Sequence, residues 1–225
     1  MKDNFNPEII LNNKWTILKE IAQVPQSPSD LTLKLNTSLS NITQQLKLLE
    51  AYNLVRKEKS EEKHAGKPKT IYYINTEIVY ATILKEGMAE RKVFHIDDNN
   101  DMFFNILFGL NPEDLMYVLK FKFEYDNVLK KCKAIGFLKS SKESIELFLI
   151  TDHLEEIRSK FSNVFIEDQN EKTKKIINWS HNEFEINDGL YRKDKYFMDM
   201  IRNVQIIHDP GGLLKNIKGQ RDKIK

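Results

Sequence analysis

Between Ser38 and Asn75 the apolar pattern changes its period within one unbroken stretch, and few folds accept such a change. Ile42, Leu46 and Leu49 recur at i, i+4 and i+7, the spacing of one helix face, and Ser38 stands before them as an N-cap. LVRKEKSEEKHAGKPKTIYYIN follows, in which two alternating runs, 54–59 and 69–75, flank a polar turn containing Gly66 and Pro68. That is the pattern of a β-hairpin. Upstream, Trp15, Leu18, Ile21 and Ala22 give a first helix over 14–23 and place Trp15 in the core. A short helix over 28–35 is opened by Ser27 as cap, Pro28 in the first helical position and Asp30 reaching back to the cap amide.

The other face of the 38–52 helix carries Ser40, Asn41, Thr43, Gln44 and Lys47. These are short polar groups able to read base edges, with one cation suited to a phosphate. A merely solvated helix would carry more Glu and Lys. The hairpin adds charge, with six Lys or Arg against three Glu from Arg56 to Lys69.

The order helix, helix, SLSNITQQLKLLEAYNLVRK, basic hairpin, YYIN resembles the winged helix-turn-helix of ArsR/MarR-type transcriptional regulators over about residues 8–92. The glycine common in that family before LV is Asn53 here, a residue that also accepts the left-handed conformation. The resemblance implies that Ser38, Ser40, Asn41, Thr43, Gln44 and Lys47 face the major groove of double-stranded DNA. It implies too that Lys57, Lys63, Lys67 and Lys69 serve the wing. With no cysteine before Cys132, the CxC pair of the metal sensors is missing, and no metal or cofactor is expected. TEIVYATILKEGMAERK, 76–92, reads as a helix capped by Thr76, and in such regulators a helix here pairs with its twin, implying a homodimer.

Polar KVFHIDDNNDM and the short apolar MFFNILFGL make 93–111 a linker. Asn111, Pro112 and Asp114 then open a helix running to about Lys131. Beyond it AIGFL, SIELFLITD, NVFIED, KKIINWS and VQIIHDP read as strands. Between them stand HLEEIRSKF, capped by Thr151 or Asp152, a short helix boxed by Ser180 and Glu183, and LYRKDKYFMDMIRN. The expectation for 112–210 is a mixed sheet with helices on one face, and for the chain an α+β fold. Residues 211–225 read as a basic tail.

"AIGF", "SIELFLITD", "INWSHNEFE" and "YFMDMIRNVQIIHD" resemble the nucleotidyltransferase-like domain of the DNA polymerase β superfamily. Two-metal phosphoryl transfer needs two carboxylates two residues apart on one strand. Here those positions are Ser144 and Glu146, the Gly-Ser of the family is Gly136-Phe137, and the intervening loop is short. The domain is therefore expected to be catalytically inactive, a regulatory or dimerisation module taking a protein or small-molecule effector. The alternative is a nucleotide-binding sensor that uses Gly136 and Glu146.

Composition adds limits. A net charge of +2 on 225 residues is mild, so any nucleic-acid function must come from where the charge sits. The single cysteine, Cys132, excludes an internal disulfide and reads as a small buried hydrophobe. His64, His153, His181 and His208 show no ligand spacing, and Trp179 reads as core. No apolar run approaches the roughly 20 residues that cross a bilayer, so the expectation is a cytoplasmic protein that does not enter membranes.

Overall fold

A computed structural model describes residues 10, 13–60, 68–98 and 100–223. The fold is α+β, and the chain divides into two compact units, Met1–Ile96 and Asp97–Lys225. Among the described residues no helix is long and apolar enough to cross a membrane.

The first unit begins with α1 (Asn13–Gln23), α2 (Pro28–Leu35) and α3 (Leu39–Ala51). The expected box at α2 is present: the Ser27 hydroxyl accepts from the Asp30 amide at 3.2 Å and the Asp30 carboxylate accepts from the Ser27 amide at 3.3 Å. Left-handed Asn36 (φ 47°) ends α2, and three residues later α3 begins. A hairpin follows, β1 (Val55–Lys59) against β2 (Thr70–Ile74), with Val55 opposite Ile74 and Lys59 opposite Thr70. Asn53 before it takes φ 60°, as its place in the sequence requires. Gln26 and Tyr72 exchange amide–carbonyl bonds at 3.2 and 2.8 Å, which fastens the α1–α2 connection to β2. Ile17, Leu18, Ile21, Leu31, Ile42, Leu46, Leu49, Leu54, Val55 and Tyr72 close the core. Trp15 is not among them; it is 51% exposed, because the stripe that α1 buries runs through Ile17, Leu18 and Ile21.

Residues 76–92 are not a helix. They belong to a second hairpin, β3 (Ile78–Lys85) against β4 (Met88–His95), paired from Ile78–His95 to Lys85–Met88. The turn is Glu86–Gly87, and Gly87 sits at φ 77°, where a side chain would be strained. Thr76 caps nothing: its hydroxyl donates to the Asn53 carbonyl at 2.7 Å. Two eight-residue runs about a glycine satisfy strand alternation as well as helical spacing, and β-branched Ile78, Val79, Thr82 and Ile83 favour the strand.

The second unit is a five-stranded sheet between two helical layers, in the order β7-β8-β6-β5-β9. Its elements are α4 (Asp101–Gly109), α5 (Pro112–Leu129), β5 (Cys132–Ser140), β6 (Ser144–Thr151), α6 (Leu154–Lys160), β7 (Val164–Glu167), β8 (Thr173–His181), α7 (Glu183–Tyr191), α8 (Lys195–Asn203), β9 (Gln205–His208) and α9 (Leu213–Lys223). Among the described residues only β6 and β8 are parallel neighbours. Alternation along β6 sends Ile145, Leu147 and Leu149 to the α4–α5–α6 layer, and Phe148 and Ile150 to the α7–α8–α9 layer. Helices thus cover both faces rather than one.

Residues 93–111 are not a linker either: β4 runs to His95, and α4 buries Met102 and Ile106 in the second core. The basic segment 211–225 contains α9, held by buried Leu214 and Ile217. Thr151 accepts from the His153 amide at 3.1 Å but caps no helix, as α6 starts at Leu154 without a side-chain cap. The box of α7 lies two residues later than its expected place, at Asn182 and Glu185, because β8 continues through Ser180 to His181.

Candidate nucleic-acid interface

The exposed face of α3 is set by what the helix buries. With Ile42, Leu46 and Leu49 against the core, the residues one helical turn around face solvent, and Leu39, Ser40, Thr43, Gln44 and Lys47 line one shallow depression. Four of the residues singled out from sequence are therefore brought together, joined by Leu39. Ser40, Gln44 and Lys47 are exposed, and Lys47 enters no ion pair among the described residues. Thr43 is half-buried and donates its hydroxyl proton to the Leu39 carbonyl at 2.7 Å, leaving the oxygen lone pairs to accept.

Ser38 and Asn41 have other work. The Ser38 hydroxyl accepts from the Asn41 amide at 3.2 Å, capping the helix. The Asn41 side chain donates to Thr37 at 3.1 Å and accepts from Gln45 at 3.4 Å, which pins it across the α2–α3 turn. Both residues position α3 and do not share its open surface.

The hairpin lysines divide in the same way. Lys57 is held by Glu50 of α3 at 2.9 Å, and this carboxylate raises the lysine pKa. Lys69 reaches both oxygens of Asp30 at 3.0 Å, tying the hairpin to the start of α2. The Ser27 hydroxyl, and after it Lys69, lower the Asp30 pKa, so the carboxylate stays charged. Both pairs are solvent-exposed and contribute little to stability, so each lysine is pre-positioned yet free to exchange its carboxylate for another anion. Lys63 and Lys67 lie outside the described residues. Arg56, which the charge count of the hairpin included without a role, stacks on Tyr73 with its guanidinium 5.0 Å from the ring centre and donates to the Ile74 carbonyl at 2.9 Å.

In the second unit the residues at the nucleotidyltransferase positions are engaged in the scaffold. The Glu146 carboxylate accepts from the Trp179 indole at 2.9 Å and pairs with Lys139 at 3.3 Å. This holds Trp179 at the surface, 37% exposed, rather than in the core. Ser144 is folded into the Ser141–Ser144 turn, where its amide donates to the Ser141 hydroxyl at 3.0 Å. Gly136 is buried, and a Cβ there would run into the Val204 side chain. Its lack of a side chain serves the close approach of β9 rather than of a ligand. Burial pushes the Cys132 thiol up to about 12, which removes it as a nucleophile. His181 is fixed between Glu185 at 3.0 Å and the Tyr196 hydroxyl at 2.9 Å, and burial lowers its pKa. Among the described residues no three His, Cys, Asp or Glu side chains converge as a metal site.

No family model matches the sequence, and no curated protein matches it either. The geometry alone therefore carries the functional reading. Sequence reasoning missed Leu39 and the two acids, Asp30 and Glu50, that hold hairpin lysines. Leu39 was legible, one turn before Thr43 on the same face. The acids were not, since pairing across 39 residues between Asp30 and Lys69 leaves no local signal.

Proposed function

We propose that the first unit is a winged helix-turn-helix that binds double-stranded DNA in a sequence-dependent way, making the chain a cytoplasmic transcriptional regulator. One observation carries the reading: Ser40, Thr43, Gln44 and Lys47 share the single solvent-facing surface of the second helix in a capped α2–α3 pair, next to a lysine-bearing hairpin. In this reading α3 lies in the major groove. Gln44 reads an adenine edge, Leu39 meets a thymine methyl, Lys47 takes a phosphate, and the β1–β2 hairpin is the wing. Lys57 and Lys69 exchange Glu50 and Asp30 for phosphate on binding. The second unit is a non-catalytic regulatory domain, a reading supported by the engagement of Glu146 with Trp179 and the filled space at Gly136.

The test is fluorescence anisotropy of the full chain with a duplex from upstream of its own coding sequence and with a scrambled duplex, from about 50 to 200 mM salt, a range over which several phosphate contacts cost orders of magnitude in affinity. Lys47→Ala should weaken both duplexes alike and flatten the salt slope by about one unit. Gln44→Ala should lose about 1–3 kcal/mol of the preference for the upstream duplex and leave scrambled binding unchanged. Absence of salt-dependent binding at 50 mM, or identical behaviour of the two variants, refutes the reading.

A further inference from the structure

The second unit contains a gap where one strand of its sheet stops. β7 pairs with β8 only from Glu167–Thr173 to Val164–Ile176, and before Val164 the chain turns back to α6. Beyond Ile176 that edge of β8 has no strand beside it among the described residues. A cleft of about 270 Å³ occupies the gap, with Arg158, Phe161 and Ser162 on the side of α6 and Lys175, Ile177 and Asn178 on the side of β8. This is smaller than the roughly 300–1,000 Å³ of drug and cofactor sites, so it suits a molecule of metabolite size rather than a nucleotide.

The phase of β8 decides what lines the gap. The Lys175 amide donates to the Glu143 carbonyl at 2.8 Å, so odd-numbered residues of β8 turn their backbone groups to β6 and even-numbered ones turn theirs to the side of β7. The Ser180 carbonyl agrees with this phase, accepting from Arg158 Nη2 at 2.8 Å. The Asn178 amide and carbonyl are therefore turned into the gap. Asn178 Nδ2 reaches the Ile176 carbonyl at 3.5 Å, while Oδ1 is buried and accepts no hydrogen bond among the described residues. A buried oxygen without a donor costs the fold stability. An aliphatic side chain at 178 would continue the row of buried Ile176 and strand nothing. Lys175 enters no ion pair among the described residues, and Arg158 shares one with Glu185 at 3.8 Å. Two cations against one carboxylate leave a surplus of one positive charge at the cleft.

We infer that this cleft binds a small aliphatic monocarboxylate with an N–H or O–H donor on the carbon next to its carboxylate, the chemistry shared by α-amino and α-hydroxy acids. Arg158, Lys175 and the Asn178 amide take the carboxylate, Asn178 Oδ1 accepts from the donor, and Phe161 and Ile177 face the aliphatic part. A dianion such as phosphate exceeds the surplus charge and offers Oδ1 nothing. The inference gives the second unit a ligand and rests on no property of α3, so this binding and DNA binding fail separately.

The experiment is isothermal titration calorimetry of the full chain with four probes: L-leucine, its hydroxy analogue leucic acid, isocaproate, which lacks the donor, and leucinamide, which lacks the carboxylate. L-leucine or leucic acid should bind with a dissociation constant below about 1 mM, and the tighter of the two tells an amino acid from a hydroxy acid. Isocaproate should bind about tenfold more weakly than the tighter one, because it leaves Asn178 Oδ1 unpaired, and leucinamide should not bind. Asn178→Val should abolish binding without lowering the urea midpoint, since valine strands no polar atom. If that variant fails to fold, Lys175→Gln, at the half-exposed rim, should weaken binding about tenfold. Dissociation constants above about 1 mM for both L-leucine and leucic acid overturn the inference. So does isocaproate or leucinamide binding as tightly as they do, or unchanged affinity in whichever variant folds.

Discussion

Asp114 and Lys174 form the buried ion pair of the second unit, at 2.7 Å, with side chains 1% and 10% exposed. Burial pushes the Asp114 carboxyl up, but hydrogen bonds from Lys174, from Ser140 at 2.5 Å and from Asn111 at 2.8 Å outweigh it, and the net shift is downward. Asp114→Asn keeps the shape and one acceptor while leaving the Lys174 ammonium without a counter-charge inside the fold. Removing one member of a buried pair costs about 3–5 kcal/mol. With a urea dependence of about 1.5 kcal/mol per molar, a loss of 3 kcal/mol lowers the unfolding midpoint by about 2 M. Trp15 and Trp179 are the chain's two tryptophans, one in each unit, so a Trp15→Phe background makes fluorescence report the second unit alone. Replacing both partners, as Asp114→Leu with Lys174→Met, should cost much less than either single change, because no charge is stranded. The pH dependence has a defined sign. A carboxyl whose pKa is depressed on folding stabilises fully above its unfolded value of about 3.9 and loses that contribution as pH falls through its folded value. The gap between wild type and Asp114→Asn should therefore be constant from neutral pH to about 5 and close below 4. A midpoint shift under about 0.5 M at neutral pH would show that water reaches the pair and would refute the reasoning.

Two further outcomes follow from packing. Gly136→Ala places a methyl against Val204 and the Gln205 carbonyl, so urea unfolding should show the second unit destabilised by about 1–3 kcal/mol, with the first unit unchanged. Cys132, with its thiol near 12, should resist iodoacetamide at pH 8 in the folded protein and react at an ordinary rate in urea.

What the sequence disclosed was local. Capping at Ser27 and Ser38, the stripe of Ile42, Leu46 and Leu49 and the alternation around 54–75 each lie within about twenty residues, and each has a counterpart in the structure. The second hairpin was hidden because IVYATILKEGMAERK satisfies two periods at once, so that Ile78, Val79, Ala81, Thr82, Ile83 and Met88 read as one helical face behind a Thr76 cap. α4 and α9 were obscured for another reason. Both are short and depend on tertiary burial, of Ile106 in one case and of Leu214 and Ile217 in the other, and the acid that caps α9, Asp209, stands four residues before its start. At the candidate interface, residue type named six positions on α3, but only the direction of the buried face separated the four that share a surface from Ser38 and Asn41. The layering of the second unit depends on β9 pairing with β5, a contact between residues about 70 apart, which no short window of sequence reveals.

That late pairing also bears on how the chain is made. One face of the central sheet acquires its cover as α5 to β8 are synthesised, but Ala134, Phe148 and Ile150 on the other face are covered by Ile186, Ile201, Leu214 and Ile217. A ribosome that has finished β8 therefore carries a sheet with one dry face and one bare one, and the bare face persists until some 35 further residues have emerged. At roughly 5–20 residues per second, that is a window of seconds in which the nascent chain displays an apolar strip to chaperones and to its neighbours on the same message.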